Sequence, residues 1–283
     1  MKDKIALITD SASDMNKKFI EKHNIKIIPL RILYKNKTYL DKIQLKPEDM
    51  YDMLNDDILP KTSLPSAEDI TSVLDEVKSE GYHNVLYIGL SSALSGTYNF
   101  VKLIGEEYND INFFSFDSKT LSAPQGMLVS FAAKLIEKGE SNAKRIIYKL
   151  SESRKENKSL FVVKNISYLT KGGRISKATG FVGNLLKVCP VINIGNSGNF
   201  ELKYKSIGLA RSIQLMLNDF EKNFKNSSVN VSIVHCFDEK LAKSIIQKIK
   251  SFADIINVDV LPVTAALAIH TGPGLVGISM NKV

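Results

Sequence analysis

Short apolar runs alternate along the first half of the chain with stretches whose apolar positions recur every third or fourth residue. Residues 5–8, 25–30, 85–90 and 112–116 are apolar enough, and short enough, to read as buried strands. Residues 15–23, 68–79 and 97–108 carry helical spacing, and 33–39 read as an extended segment. A further helix is predicted from Ser122, because Ser122 and Gln125 have capping-box spacing with Pro124 in the first turn. Strands that alternate with helices of this length imply parallel pairing through crossover connections, so the pattern predicts an α/β fold.

The charged, polar stretch 151–159 interrupts this alternation and divides the chain into two domain-sized parts, 1–156 and 157–283. Beyond it the pattern predicts a strand at 160–163 and a small-residue segment around 172–186. A hairpin follows, its arms at 191–194 and 200–204 flanking Gly195-Asn196-Ser197-Gly198-Asn199. Helices near 209–224 and 239–252 bracket a strand at 229–235, and strands at 258–261 and 275–280 complete the second part. Two α/β domains are therefore expected, with no internal repeat and no low-complexity tract.

Composition narrows the function. The chain has 283 residues, 44% of them hydrophobic, and a net charge of +8. Lys supplies nearly all the positive charge, and the Arg residues, Arg31, Arg145, Arg154, Arg174 and Arg211, are scattered. Scattered Lys belongs to solvated helix faces, and no basic stripe interleaved with aromatics suggests nucleic acid as a partner. Cys189 and Cys236 sit far apart in apolar surroundings, without metal-ligand spacing, and read as core thiols in a reducing compartment. Charges at Lys2, Asp3 and Lys4 precede only the short apolar run 5–8, which is not a signal peptide, and no apolar run approaches the roughly 18 residues of a spanning helix. A cytoplasmic location is expected.

The candidate chemistry lies in loops. Ser91-Ser92-Ala93-Leu94-Ser95-Gly96 joins a predicted strand to a predicted helix, where free backbone N–H groups and hydroxyls converge. Thr62-Ser63-Leu64-Pro65-Ser66 repeats the pattern, its proline fixing a turn before a helix. These two clusters read as halves of one anion-binding site. Asp10 and the pair Asp117-Ser118 end predicted strands, at the edge where open α/β sheets place ligands, although helix capping explains them equally well. His23, His83 and His235 have no ligand-like partner nearby in sequence.

Gly272-Pro273-Gly274-Leu275-Val276-Gly277 matches the dinucleotide fingerprint literally, but no helix follows it here, and a tight turn after His270 and Thr271 is the better reading. Gly89-Leu90-Ser91-Ser92-Ala93 nearly matches a nucleophile elbow, so a serine hydrolase using Ser91, His270 and either Asp117 or Asp238 is the alternative function. Its fifth position is Ala, and the loop continues past the point where an elbow turns. Arg174 follows Lys171-Gly172-Gly173 and could bind an anion, dock a partner, or simply be solvated.

Taken together, Thr9-Asp10-Ser11, Ile28-Pro29-Leu30, Thr62-Ser63-Leu64-Pro65-Ser66, residues 91–98, Asp117-Ser118, residues 168–175 and residues 270–277 resemble the DegV family of bacterial fatty-acid-binding proteins. The segments occur in order over nearly the whole chain; Leu64 stands where the family often has Gln. The resemblance implies two α/β domains with one long-chain fatty acid between them, and no cofactor, metal or catalytic residue of the chain's own. It implies that Thr62, Ser95 and the N–H of Gly96 hold the carboxylate, with Ser92 competing for the role given to Ser95. Support would come from His270, Asp10 and Ser118. It further implies that the chain is the acyl-carrying subunit of a fatty acid kinase, whose catalytic subunit makes acyl phosphate for phospholipid synthesis. Arg174 would then meet the kinase, and a transient contact with a membrane surface is a further expectation.

Overall fold

The computed structural model describes residues 4–45, 49–174 and 188–283. The first apolar run forms β1 (Ile5–Asp10), buried at every position. It pairs in parallel with β2 (Lys26–Ile28) and β6 (Asn84–Gly89), and β6 pairs in parallel with β7 (Asn112–Asp117), giving the order β2-β1-β6-β7. Helices α1 (Lys17–Lys22), α3 (Ala67–Ser79), α4 (Thr97–Glu107), α5 (Ser122–Glu137) and α6 (Ala143–Glu156) belong to this half. Because successive strand residues point to opposite faces, Ala6 and Ile8 pack with Ile70 and Leu74 of α3, whereas Ile5 and Leu7 pack with Leu128 of α5 and Ile146 of α6. Cover on both faces is why these strands read as continuous apolar runs.

A small antiparallel sheet, β4-β3-β5, is built from β3 (Arg31–Tyr34), β4 (Lys37–Leu40) and β5 (Lys61–Ser63). The expected single extended segment at 33–39 is thus a hairpin. Its turn residues Lys35 and Asn36 both take positive φ (45° and 60°), the backbone that a two-residue turn between twisted strands requires. Helix α2 (Met50–Leu54) follows.

The third sheet has the order β10-β9-β8-β13-β11-β12. Its strands are β8 (Lys158–Val162), β9 (Val191–Ile194), β10 (Phe200–Tyr204), β11 (Ser228–His235), β12 (Asp254–Pro262) and β13 (Val276–Lys282). Only β11 and β12 pair in parallel. Parallel crossover topology therefore holds for the first sheet and fails for this one, because β13 returns between β8 and β11, antiparallel to both. Helices α8 (Leu209–Phe224) and α9 (Glu239–Ile249) cover one face through Phe220 and Ile245 against Val231, Ile233 and Ile278. Toward the other face lie α7 (Ser167–Lys171) and α10 (Ala265–Thr271), in an apolar cluster that also takes Ala12, Leu30 and Leu90 from the first half.

In the polar stretch 151–159, α6 continues to Glu156 and β8 begins at Lys158, so most of its charges lie on a helix end. One further expectation is corrected. Ser122 and Gln125 form no capping box. Ser122 takes φ +62°, which turns its N–H to the Ala12 carbonyl (2.8 Å) and its hydroxyl to Asp14 Oδ2 (2.5 Å), while Gln125 reaches Thr9 and Asp10. Both cysteines are free and buried. Among the described residues no helix is long and apolar enough to cross a membrane. Of the small-residue segment at 172–186, residues from 175 onward, including Ile175 of the family-like stretch, lie outside the described residues.

Candidate functional site

Asp10 closes β1 and spends its whole carboxylate on the scaffold. It accepts from the Leu90 N–H (2.8 Å), the Tyr87 hydroxyl (2.9 Å), the Ala12 N–H (3.1 Å) and the Gln125 amide (3.2 Å). Burial pushes its pKa up, and these donors pull against that shift. Ser118 is equally buried; its N–H donates to the Gly89 carbonyl (3.1 Å) and its hydroxyl to the Thr120 carbonyl (3.2 Å). Both residues fix the strand ends from which the serine loop leaves.

Within that loop the Ser91 carbonyl accepts the N–H groups of Leu94 and Ser95, each at 3.1 Å, folding the chain into a turn. The Ser92 hydroxyl donates to Asp117 Oδ2 at 2.6 Å and so is already committed. Ser95 is different. Its Oγ accepts the Thr97 N–H (3.2 Å) and lies 3.0 Å from Thr97 Oγ1, which leaves its O–H able to turn to an incoming acceptor. Gly96 caps α4, and among the described residues its N–H finds no acceptor. A Cβ on Gly96 would lie 3.6 Å from a Leu64 methyl, which brings the Thr62–Ser66 segment against this loop.

That segment is held from behind. Ser66 and Asp69 form a capping box for α3, and Arg31 grips it through Asp69 (2.6 and 3.1 Å) and Ser66 (2.7 Å). The Ser66-x-x-Asp69 spacing is a sequence signal for this anchor. Two residues into β5, Thr62 Oγ1 lies 2.8 Å from His270 Nε2. Burial, together with the nearby Arg174 charge, drives the His270 pKa down to about 4, so the imidazole is neutral at pH 7. With its proton on Nε2 it donates to Thr62 and leaves the Thr62 hydroxyl proton for an acceptor outside the pair.

Gly172 accounts for the other side of the ring: a Cβ there would meet His270 Nδ1 at 2.3 Å, so only glycine lets the α7 end close on the imidazole. Arg174 donates from Nη1 to the Gly172 carbonyl at 2.7 Å. The sequence places Gly172 and Arg174 in one loop, but nothing local in it announces their contact with a histidine about a hundred residues away.

Thr271, next to His270, lines a narrow apolar cavity with Leu267, Phe161, Ile192, Phe200, Leu121 and Ser122 among its walls. Its two hydroxyls are already engaged, Ser122 with Asp14 and Thr271 with the Leu267 carbonyl (3.0 Å). Such a space suits hydrocarbon.

The serine-hydrolase alternative does not survive this geometry. Ser91 is fully buried and donates to the Gly198 carbonyl at 2.8 Å. His270 is paired with Thr62, Asp117 with Ser92, and Asp238 with the Leu241 N–H as the cap of α9. A triad needs these groups on one another. Among the described residues no cluster of His, Cys, Asp and Glu could hold a metal ion.

The family model described as an uncharacterised protein of the DegV family matches residues 4–283. A DegV domain-containing protein of Clostridium acetobutylicum is 36% identical over 284 residues, covering 99% of both chains. Among solved structures, a DegV lipid-binding protein of Thermotoga maritima is similar at a TM-score of 0.88 and 28% identity, covering 99% of each chain. DegV of Bacillus subtilis, a fatty acid binding protein, matches at 0.86 and 28%, again over 99% of each. A stearic acid-binding protein of Eubacterium ventriosum matches at 0.84 and 28%, over 100% of this chain and 98% of that one. The chain belongs to the DegV family.

Proposed function

We propose that this protein binds one long-chain fatty acid, its carboxylate at Thr62, Ser95 and the N–H of Gly96, and its tail in the apolar cavity beside Thr271. The observation that carries the reading is the Thr62–His270 pair, a neutral donor system one residue from a cavity that, among the described residues, offers hydrocarbon and no free polar group. The fatty-acid-binding relatives support the ligand class. In this reading residues 1–156 supply the head-group site, and 157–283 supply most of the tail cavity together with His270.

Each buried methylene contributes about 0.8 kcal/mol, so the tail can provide affinity without an ion pair at the head. Hydroxyl and amide donors then hold the carboxylate without fully neutralising it, leaving an oxygen nucleophilic. That chemistry fits presentation to a partner kinase, which would transfer the γ-phosphoryl group of ATP to the carboxylate and give an acyl phosphate for phospholipid synthesis. The protein would supply positioning and the kinase the phosphoryl transfer, with Arg174 at the contact between them and a brief membrane contact during ligand exchange.

The test is mass spectrometry of organic extracts from natively purified protein, followed by titration of the delipidated protein with palmitate and with hexadecanol. Near-stoichiometric fatty acid and tighter binding of the acid than the alcohol are expected. No fatty acid in the extract and no binding of palmitate would overturn the reading.

A further inference from the structure

The hairpin that walls the cavity reaches across to the serine loop. Its arms contribute Ile192 on β9 and Phe200 on β10 to the cavity, and its turn carries Gly198 at φ +86°. Ser91 Oγ donates to the Gly198 carbonyl at 2.8 Å, across 107 residues of sequence, and both residues are buried. The turn is seated closely: a Cβ on Gly198 would lie 2.3 Å from Ser91 Oγ and 3.2 Å from Lys119 Cβ. Arg154 of α6 adds a second bridge, donating to the Asn196 carbonyl at 3.2 Å.

Ser91 also works in the other direction. Its carbonyl receives the Ser95 N–H at 3.1 Å, and its own N–H donates to the Thr120 carbonyl at 2.7 Å. One residue therefore touches the wall of the tail cavity, through the hairpin turn, and the backbone of the serine that faces the head group. A hydroxyl with no reactive partner, wholly buried at this junction, has no use in chemistry but a clear one in alignment.

We propose that Ser91 is a positioning residue that couples tail occupancy to the head-group loop: the hairpin packs down on a bound acyl chain and, through the Ser91–Gly198 bond, holds Ser95 and Gly96 against the carboxylate. This rests on the fatty-acid reading above. Losing the bond removes no head-group donor but frees the loop that carries Ser95 and Gly96 from the hairpin turn, so the ligand leaves faster.

The test uses the full chain, wild type and Ser91→Ala, loaded with the fluorescent fatty acid parinaric acid and chased with excess oleate. Release from Ser91→Ala should be about threefold to tenfold faster, the usual cost of one buried hydrogen bond. Amide exchange is read with and without palmitate. In wild type the ligand should slow exchange at the hairpin amides Gly195 and Gly198 and at the loop amides Leu94 and Ser95 together. In Ser91→Ala it should slow the hairpin alone, a separation that a merely structural role would not produce. Gly198→Ala, which forces the turn away while keeping the Ser91 hydroxyl, should release parinaric acid faster as well and decides the matter if Ser91→Ala does not fold. Equal release rates with joint protection retained in the variant would overturn the coupling alone. A wild type that binds no fatty acid would overturn the ligand assignment and the coupling with it.

Discussion

Asp14 accepts the backbone N–H of Thr264 at 2.9 Å and thereby ties the loop after β1 to the cap of α10, the helix that carries His270. Its other oxygen accepts from Ser122, a residue of the cavity wall. Burial lifts the Asp14 pKa to about 7 against the pull of Lys42, and Asp41 beside them is raised to about 6. The loop, the cavity and the histidine helix therefore share one buried polar junction.

A pH dependence follows. The folded chain binds a proton at Asp14 more tightly than the unfolded chain does, so this stabilisation is complete below about pH 4 and is lost as pH rises to about 7. Asp14→Asn is neutral throughout. Denaturant unfolding at a series of pH values should show wild type losing stability relative to Asp14→Asn between about pH 4 and about 7, and running parallel to it above. A difference that does not change with pH would contradict the assignment.

His270 should show the opposite sign. Its pKa falls to about 4 on folding from an ordinary value near 6.5, so its neutral form stabilises the fold above that value and the contribution fades as pH falls toward 4. An imidazole carbon resonance of His270 that does not move between pH 8 and about pH 5 is the direct check. A midpoint near 6.5 would mean the ring is not buried beside Arg174.

Head-group donors separate by mutation. Thr62→Ala and Ser95→Ala should each weaken palmitate binding by about 1–3 kcal/mol, the cost of leaving a charged acceptor short of a donor. Ser92→Ala should cost less, because its hydroxyl already serves Asp117. Isothermal titration of the three variants gives the ranking, and a larger loss for Ser92→Ala would move the carboxylate to that end of the loop.

Arg174→Ala should raise the His270 pKa, since removing the nearby positive charge removes part of what depresses it. Fatty-acid affinity should change little, while acyl-phosphate formation with the proposed partner kinase falls sharply. Equal losses in binding and turnover would show that Arg174 holds the carboxylate itself.

Much of the fold was legible because burial on one or both faces leaves a period in the sequence. The hairpin at Val191–Ile194 and Phe200–Tyr204 and helix α8 fall where their patterns predict. Helix α10 was not legible: its Ala265–Ile269 stretch is buried all round and so shows no amphipathic period. Helix α6 was obscured by the charges on its last turns, although Ile146 and Leu150 keep helical spacing. The two hydroxyl clusters could be read locally as anion sites. Their partner His270 lies 208 residues from Thr62, a pairing that only the family resemblance suggested. Ser91, read as a candidate nucleophile, donates instead to a carbonyl from the far half of the chain.

The most direct test of the head-group assignment is the carboxyl resonance of palmitate labelled with carbon-13 at its carboxyl carbon, bound to the protein at pH 7. One bound resonance is expected, displaced from the free acid and shifted again in Thr62→Ala and in Ser95→Ala. A bound carboxyl signal that neither substitution moves would place the head group elsewhere and contradict the account.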